Sequence, residues 1–306
     1  MTDYYDVNLK NSRYQILKKN KNFFGYTGFI QDQKLLDDIF FAHKPKIFIH
    51  LAAQAGVRYS LDNPLSYVEA NLIGSFHVFE MARKFSPEHL LIASTSSVYG
   101  DNKNIPFDEN QKSDTPISFY AATKKSTEVM AHSYAHLYKI PTTIFRFFTV
   151  YGPWGRPDMA LFKFTKNILS NRPIEIYNYG NMKRDFTNID DLVNAIYLII
   201  DLKPTKPIER EVNRKFDSIS NSAPYRILNI GNSNPINLLD YVEELEKVLK
   251  KKAIKKFIKM QDGELVDTFG NIELIKELTG FRPKKKLSQG IREFVDWYKR
   301  YYMVKN

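Results

Sequence analysis

The chain has 306 residues, of which 43% are hydrophobic and 26% charged, a composition that fits a folded globular protein and excludes a disordered or fibrous one. A membrane-spanning helix needs about 20 consecutive apolar residues, and every apolar run in this sequence is much shorter. The polar N-terminus excludes a signal or transit peptide. The absence of cysteine excludes a disulfide framework, a thiolate metal site and a cysteine nucleophile. These features predict a cytoplasmic protein of one large domain or two closely packed ones.

The net charge is +11, from 45 basic and 34 acidic residues. The excess lies in lysine clusters at 250–252, 255–256 and 284–286, which have no interleaved aromatic residues of the kind that stack on bases. We therefore expect solvated lysine surface and no nucleic-acid partner. A net positive protein does favour the approach of an anionic small substrate.

The first half of the chain alternates between apolar runs and segments with helical spacing. The runs predict strands at 23–30, 46–51, 89–93 and 142–148, and the spacing predicts helices at 33–42, 64–84 and 118–138. Continuously apolar strands are typical of a parallel sheet buried on both faces. The order of elements predicts an α/β fold with a doubly wound, Rossmann-like parallel sheet.

The second half of the chain has shorter elements in a more mixed order. We predict helices at 158–170, 190–201, 237–250, 271–278 and 288–302, and strands at 174–177, 226–230 and 254–259. The polar segment 203–225, with three prolines, is predicted to be a long loop. Residues 1–150 and about 186–232 would form a dinucleotide-binding domain, and about 151–185 and 233–306 a smaller, interleaved α+β substrate domain.

The clearest chemical pattern is the segment YAATK, in which Tyr120 and Lys124 are four residues apart on a predicted helix. Residues at this spacing lie on the same helix face. An ammonium group near a phenol favours the phenolate and lowers its pKa from about 10 towards the working range. The pair is therefore a candidate general base for a sugar hydroxyl.

Four hydroxyl residues, Ser94 to Ser97, end a predicted buried strand 25 residues before Tyr120. The carboxyl ends of parallel strands are where ligands bind in such sheets, and turn formation alone explains only one or two hydroxyls. Thr95, Tyr120 and Lys124 together form a candidate catalytic triad of hydroxyl, phenol and ammonium.

Further segments carry a resemblance to a known family. They are DYYDVNLK at 3–10, HLAAQAGVRYS at 50–60, RFFTVYGPWGRPDMA at 146–160, KRDFT at 183–187 and SAPYR at 222–226. With the triad, they resemble the extended short-chain dehydrogenase/reductases, in particular the NAD-dependent epimerase/dehydratase group. Within that group the resemblance is strongest to the UDP-glucuronate 4-epimerases, and it spans almost the whole chain.

The resemblance implies a cofactor, NAD, and a role for each member of the triad. Tyr120 would deprotonate the sugar 4-hydroxyl while C4 passes a hydride to the nicotinamide, and Thr95 would hydrogen-bond O4. Lys124 would lower the pKa of the phenol and bind the nicotinamide ribose. The 4-keto sugar would then turn over and take the hydride back on its other face. The residues expected along the cofactor, besides Tyr120 and Lys124, are Leu51, Ala52, Ala53, Gln54 and Asn71.

The resemblance also implies a UDP-sugar partner. Arg184 would pair with the diphosphate and Tyr177 would stack on uracil. The candidates for holding the uronate carboxylate are Arg156, Thr149, Ser96 and Ser97, and Arg58 is a further substrate-binding candidate. A 4-keto uronate is a β-keto acid that loses carbon dioxide when its carboxylate stands perpendicular to the carbonyl plane. The hydroxyls would hold the carboxylate in that plane.

The sequence departs from the family pattern at its start. It has no glycine-rich turn of the G-x-G-x-x-G type, and Phe29 stands where relatives have an aspartate that contacts adenine. The segment 3–10 normally follows the second strand of these enzymes, so the chain is predicted to begin about 30 residues late, without the first strand, first helix and second strand. We therefore expect two unpaired strand edges, poor NAD affinity and marginal folding.

Three explanations of the missing segment stay open. The start of the protein was assigned too far downstream or the chain was cut short, the gene has decayed, or a second chain supplies the missing segment. The function has alternatives too. The chain is either a UDP-glucuronate 4-epimerase, an inactive remnant that binds nucleotide sugar only, or an epimerase or dehydratase for another nucleotide sugar such as UDP-glucose. A dehydratase is disfavoured because Ser96 and Ser97 stand where dehydratases carry an Asp-Glu pair.

The remaining candidates are weaker. The six histidines show no metal-ligand spacing, so we expect no metal site. The predicted helices at 64–84 and 118–138 are apolar on several faces, which favours pairing with a second subunit in a homodimer. The alternative is that both helices only cover the sheet.

Overall fold

The predicted alternation of strands and helices is present in the computed structural model, which describes residues 1–205 and 217–304. The strands are β1 (Ile47–His50), β2 (His89–Thr95), β3 (Thr142–Phe147), β4 (Thr149–Tyr151), β5 (Ile174–Ile176), β6 (Lys183–Asn188), β7 (Tyr225–Ile230), β8 (Pro235–Asn237), β9 (Lys255–Phe257) and β10 (Asp267–Thr268). The helices are α1 (Val7–Leu17), α2 (Gln33–His43), α3 (Tyr59–Asp62), α4 (Pro64–Tyr67), α5 (Gly74–Phe85), α6 (Phe119–Tyr138), α7 (Ala160–Leu169), α8 (Ile189–Ile199), α9 (Leu238–Leu249), α10 (Glu273–Thr279) and α11 (Leu287–Tyr301).

The main sheet has the strand order β1-β2-β3-β7, and all three pairings are parallel. Every residue of β2 is buried, as expected for a strand covered on both faces. Helices α2, α5 and α6 contribute to the core on one face, and α8 and α10 to the core on the other. The predicted α/β class with a parallel Rossmann-like sheet is therefore confirmed.

The segment 23–30 does not form the predicted strand. Its residues are irregular, and the Tyr14 hydroxyl on α1 donates to the carbonyl of Gly25 at 2.9 Å. Among the described residues no strand precedes β1, which pairs on one side only, with β2. An extended segment needs a hydrogen-bonded neighbour to become a strand, and this one has none within residues 1–205 and 217–304.

The predicted helix at 64–84 is present and runs without a break, but its middle part is a π-helix and not an α-helix. Helix α4 begins after Asn63, whose side chain accepts from the amide of Ser66. A wider π-helical turn, Val68–Ile73, then separates α4 from α5. Such turns are rare inside helices and occur mostly at functional sites. Here the turn carries the buried residue Asn71.

The C-terminal elements surround a second core. Strands β10, β6 and β4 form one small sheet, with β8 paired to β6, and β5 pairs with β9. This core draws on β4 to β6, α7, α9 and α11. Two parts pack across the predicted boundaries: Leu9 of α1 joins this second core, and α10 joins the core of the main sheet. The boundaries themselves stay a prediction.

The predicted loop 203–225 is only partly covered, because residues 206–216 lie outside the described residues. On either side of them, 202–205 and 217–220 are irregular. In the described ranges, no helix is long and apolar enough to cross a membrane. The same ranges contain no group of three histidine or acidic residues arranged to hold a metal ion.

Candidate active site

The hydroxyl segment lies at the carboxyl end of β2, as its position in the sequence predicts. Thr95 is the last residue of the strand and is 8% exposed. Its hydroxyl accepts from the amide of Ser97 and donates to the Ser97 hydroxyl, each at 3.2 Å. These bonds cap the short helical turn Ser96–Tyr99 and present the hydroxyls together at the sheet edge.

Tyr120 and Lys124 lie in the first turns of α6. The helix begins after Ser118, whose hydroxyl accepts from the amide of Ala121 at 3.2 Å, and this cap fixes where the first turn starts. The Tyr120 ring packs edge-on against Tyr67 with ring centroids 6.0 Å apart. The side chain of Lys124 points into the protein and is 3% exposed.

Two groups oppose the effect of burial on Tyr120. Burial raises the pKa of the phenol, and hydrogen bonding with the Thr95 hydroxyl and the charge of Arg156 lower it. Arg156 reaches the phenol from a loop that is distant in sequence, so helical spacing does not reveal its effect. The role of Lys124 in lowering this pKa stays a prediction.

Lys124 carries a charge that the interior disfavours. Burial lowers the pKa of its ammonium to about 8, and the negative charge of Glu128 opposes that shift. Lys124 in turn helps to lower the pKa of His50, at the end of β1, although burial is the larger cause and brings it to about 3. Across the described ranges, the Lys124 ammonium has no hydrogen-bond partner. It is therefore a buried cation with free donors.

One asparagine, Asn71, fixes the backbone of the segment that follows β1. The Asn71 side chain is fully buried, accepts from the amide of Gln54 at 2.8 Å and donates to its carbonyl at 3.0 Å. Asn71 also donates to the Thr123 hydroxyl on α6 at 2.9 Å. The predicted cofactor residues Leu51, Ala52 and Ala53 directly precede Gln54 in the sequence and are exposed.

The four predicted carboxylate-binding residues come from two places in the chain. Ser96 is buried and Ser97 half-buried in the turn after β2. Thr149 begins β4 and lines a small cavity together with Arg156. Because β4 follows β3 directly, and β3 pairs with β2, both groups belong to neighbouring strand ends.

Arg156 is already paired within the protein. Its Nε is 3.0 Å from Oδ1 of Asp158, and its Nη2 contacts Oδ2 of the same carboxylate. The hydroxyl of Tyr4, from the N-terminal segment, donates to Asp158 at 3.1 Å. Tyr4 and Asp158 lie in the motifs at 3–10 and 146–160, but the motifs predict no role for either residue. The proximity of Tyr4 is not visible in the sequence because 154 residues separate it from Asp158.

The predicted nucleotide-binding residues form a second cluster. The Arg58 guanidinium lies over the Tyr177 ring at 4.1 Å from its centroid, and Nη1 donates to the Tyr177 hydroxyl at 3.2 Å. Arg184 donates to the carbonyls of Leu265 and Val266 and to Glu264, at 2.6, 2.7 and 3.3 Å. Glu264 also lies 4.0 Å from Arg58. It was not predicted, since no motif contains it.

Comparisons with known proteins agree with this arrangement. A sequence model described as the NAD dependent epimerase/dehydratase family matches residues 5–213. A probable UDP-glucuronate 4-epimerase of Rhizobium meliloti is 50% identical over 302 residues, which cover 99% of this chain and 89% of that protein. The chain belongs to the NAD-dependent epimerase/dehydratase family. UDP-glucuronate 4-epimerase 1 of Arabidopsis thaliana is 42% identical over 305 residues, which cover 98% of this chain and 70% of that protein.

A solved structure extends the likeness to three dimensions. The UDP-glucuronic acid 4-epimerase of Bacillus cereus, in complex with UDP-glucuronic acid and NAD, superimposes on this chain with a TM-score of 0.82 at 31% identity. The match covers 97% of this chain and 88% of that one. The predicted membership of the NAD-dependent epimerase/dehydratase family, and the enzyme class that goes with it, are confirmed.

The residues of this family member fit one end of NAD. A buried ammonium with free donors, Lys124, lies on the first turns of α6, and small side chains at 52 and 53 are exposed after β1. Donors and open space of this kind suit a nicotinamide ribose. The 306 residues contain no G-x-G-x-x-G motif of the kind that presents backbone amides to a pyrophosphate.

Proposed function

We propose that the chain interconverts UDP-glucuronate and UDP-galacturonate by epimerisation at C4. One observation carries this proposal: Thr95 and Tyr120 meet at the carboxyl end of β2, with the buried ammonium of Lys124 one helical turn further along α6. A hydroxyl, a phenol and an ammonium in one place are the groups that alcohol–ketone chemistry at a sugar carbon requires.

The proton at the sugar 4-hydroxyl is handled by Tyr120 and Thr95. Tyr120, as phenolate, accepts the proton from O4, and the Thr95 hydroxyl donates a hydrogen bond to O4 as negative charge develops on it. In the return step Tyr120 gives the same proton back to O4, so the phenolate is regenerated. When bound, NAD supplies the hydride acceptor for C4.

The charges around Tyr120 support its role as a base. Burial raises the pKa of the phenol, which opposes the phenolate, while Arg156 and Thr95 stabilise the phenolate. The ammonium of Lys124 is the group we propose to bind the nicotinamide ribose, because its three donors are free and it is enclosed. Asn71 keeps the backbone at Gln54 in place beside it.

The substrate carboxylate is the feature that distinguishes a uronate from a neutral hexose. We assign its recognition to the hydroxyls of Ser96, Ser97 and Thr149, with Arg156 as the nearby cation. Hydroxyl donors on two neighbouring strand ends hold a carboxylate in one plane, which keeps a β-keto acid from losing carbon dioxide. The UDP part would bind at the second cluster, where Tyr177 offers a ring and Arg184 a guanidinium.

The direct test is incubation of the purified chain with UDP-glucuronate and NAD, followed by chromatography of the nucleotide sugars. We expect UDP-galacturonate to appear, and Tyr120→Phe to abolish it. Acid release of nucleotide from the purified chain measures bound NAD in the same preparation. Binding of UDP-glucuronate without any turnover at millimolar NAD would instead favour a nucleotide-sugar-binding protein, and turnover of UDP-glucose alone would favour a different substrate.

We also propose that the protein is a cytoplasmic homodimer. Large apolar side chains on α4 and α6 are exposed, with Leu65 at 63%, Val129 at 60% and Leu137 at 61%. Burying them against the same helices of a second copy removes this surface from water. Light scattering coupled to size-exclusion chromatography should give twice the chain mass of 35.8 kDa. Leu65→Glu combined with Val129→Glu should give a monomer.

A further inference from the structure

A buried carboxylate lies one helical turn beyond Lys124 on α6. Glu128 is 2% exposed and its carboxylate has several donors around it. The Ser94 hydroxyl, on β2 next to Thr95, donates to Oε1 at 2.6 Å. The ammonium of Lys125 donates to Oε2 at 3.1 Å. Glu128 therefore connects the helix that carries Lys124 to the strand that carries Thr95.

The main partner of Glu128 is Arg146 on β3. The guanidinium donates to both carboxylate oxygens, from Nε at 3.0 Å and from Nη2 at 2.8 Å. Arg146 is itself 1% exposed, lies over the Tyr99 ring at 4.7 Å and donates to the Ser113 hydroxyl at 3.0 Å. A two-point pair of this kind fixes direction as well as distance, so it ties α6 to β3, and the Ser94 bond ties the same carboxylate to β2.

The carboxylate of Glu128 also acts on Lys124. Residues four apart on a helix have Cβ atoms about 5–6 Å apart, and the two side chains share the same buried face. The charge of Glu128 raises the pKa of Lys124, whereas burial lowers it to about 8. From β1, His50 also faces Lys124, but burial keeps its pKa near 3 and hence the ring neutral.

Three further charged or titratable side chains surround Glu128. Arg146 faces it from β3, Lys125 from its own helix, and Tyr225 from β7, where burial raises the pKa of the phenol well above its usual range. Glu128 stays ionised because Arg146, Lys125 and Ser94 lower the pKa of its carboxyl against the effect of burial.

We propose that Glu128, paired with Arg146, is a positioning residue that fixes α6 against the ends of β2 and β3 and holds Lys124 in its charged form. The inference rests on the proposed function, in which Lys124 is the cation that binds the cofactor ribose. Without the Glu128 carboxylate, the buried ammonium would lose its only attractive charge among the described residues and would release its proton at lower pH.

The test measures the charge of Lys124 directly by NMR, without cofactor or substrate. Lysine labelled with ¹³C at Cε reports the ionisation of each ammonium, and the Lys124 signal is identified by its absence in Lys124→Arg. The wild-type chain should titrate with a midpoint near 8. In Glu128→Gln the midpoint should fall by about one pH unit. An unchanged midpoint in a folded Glu128→Gln protein overturns the proposal.

The matched control is Arg146→Lys, which breaks the two-point pair but keeps a cation beside Glu128, so that its carboxylate stays ionised. It should lose stability and keep the wild-type midpoint of Lys124. Equal shifts in both variants would mean that disturbed packing, and not the charge of Glu128, sets the midpoint, and this too would overturn the proposal. If Glu128→Gln alone does not fold, the double variant Glu128→Gln with Arg146→Met removes the unpaired charge and should still show the lowered midpoint.

The titration also separates this inference from the proposed function. A chain that fails to epimerise UDP-glucuronate but shows the lowered midpoint in Glu128→Gln would contradict the proposed function alone. A chain that epimerises and shows no shift would contradict the role of Glu128 alone.

Discussion

Asp158 holds Arg156 at two points, with Nε of the arginine 3.0 Å from Oδ1 and Nη2 in contact with Oδ2. The pair matters for Tyr120, because the charge of Arg156 lowers the pKa of the Tyr120 phenol. The Asp158 carboxylate offsets part of the charge of Arg156. The charge that Arg156 presents to Tyr120 therefore depends on Asp158, although burial is the larger influence on the pKa of the phenol.

The first prediction is that Asp158→Asn increases the fraction of Tyr120 that is phenolate at acidic pH, and with it the activity. With the carboxylate removed, the full charge of Arg156 acts on the phenol and lowers its pKa further. The phenolate is the active form and is present above this pKa, so the acid limb of kcat/KM against pH should move to lower pH. At pH 6 we expect kcat/KM to rise on the order of threefold.

The control for this prediction is Tyr4→Phe. It removes the hydrogen bond from Tyr4 to Asp158 and leaves both charges of the pair in place. Burial raises the pKa of Tyr4 to about 12, so its hydroxyl is neutral in the range tested. The pH profile of Tyr4→Phe should match the wild type. A profile of Asp158→Asn that also matches the wild type would show that Arg156 does not act on Tyr120 as described.

The second prediction concerns Tyr120 itself. Tyr120→Phe keeps the ring that packs against Tyr67 and removes the group that exchanges the proton. Loss of a general base costs about 10²- to 10⁴-fold in kcat, whereas the dissociation constant of UDP-glucuronate, measured by calorimetry, should stay within a factor of about three. A fall in affinity as large as the fall in kcat would place Tyr120 in substrate binding instead.

Much of the fold follows from sequence patterns because the buried strands are continuously apolar. Strand β2 is predicted from the run at 89–93, and α6 from the segment that begins after Ser118. The prediction at 23–30 is wrong because strand formation depends on a neighbouring strand, which local sequence does not report. The short strands β4 and β6 are missed because neither contains a run of apolar residues: β6 reads KRDFTN and β4 only TVY.

Part of the candidate site can also be predicted from the sequence. Helical spacing brings Tyr120 and Lys124 together, and the end of a buried strand gives the position of Thr95. The pairing of Arg156 with Asp158, and of Glu264 with Arg184, depends on loops whose side chains meet only after folding. The effect of Arg156 on Tyr120 belongs to the same class, since electrostatic neighbours are set by tertiary structure.

The third prediction concerns stability in acid and involves His89, the first residue of β2. Its Nδ1 lies 2.8 Å from the carbonyl of Ile200 and its Nε2 2.8 Å from the Thr143 hydroxyl. Burial lowers the pKa of His89 to about 4 from an ordinary value of 6.5. The unfolded chain therefore binds the proton first, and the stability that neutral His89 contributes is complete above pH 6.5 and is lost as the pH falls towards 4.

Urea unfolding of the wild type and His89→Gln at pH 7 and pH 4 measures this contribution. The difference in unfolding free energy between the two proteins should shrink by about 3 kcal/mol from pH 7 to pH 4. His43→Gln, at an exposed histidine on α2, is the control and should show no such change. A difference that is the same at both pH values would mean that His89 titrates normally in the folded protein.

The last prediction tests how the uronate carboxylate is held. Thr149 begins β4, on the same small cavity as Arg156, and we assign its hydroxyl to the carboxylate. A hydrogen bond to a charged group contributes about 1.5–3 kcal/mol, so Thr149→Ala should let the carboxylate leave the plane of the 4-keto group more often. The fraction of decarboxylated nucleotide sugar, measured by mass spectrometry of the products, should rise about tenfold. Thr149→Ser keeps the hydroxyl and should restore the wild-type ratio. If the ratio does not change in Thr149→Ala, the carboxylate is held by other groups.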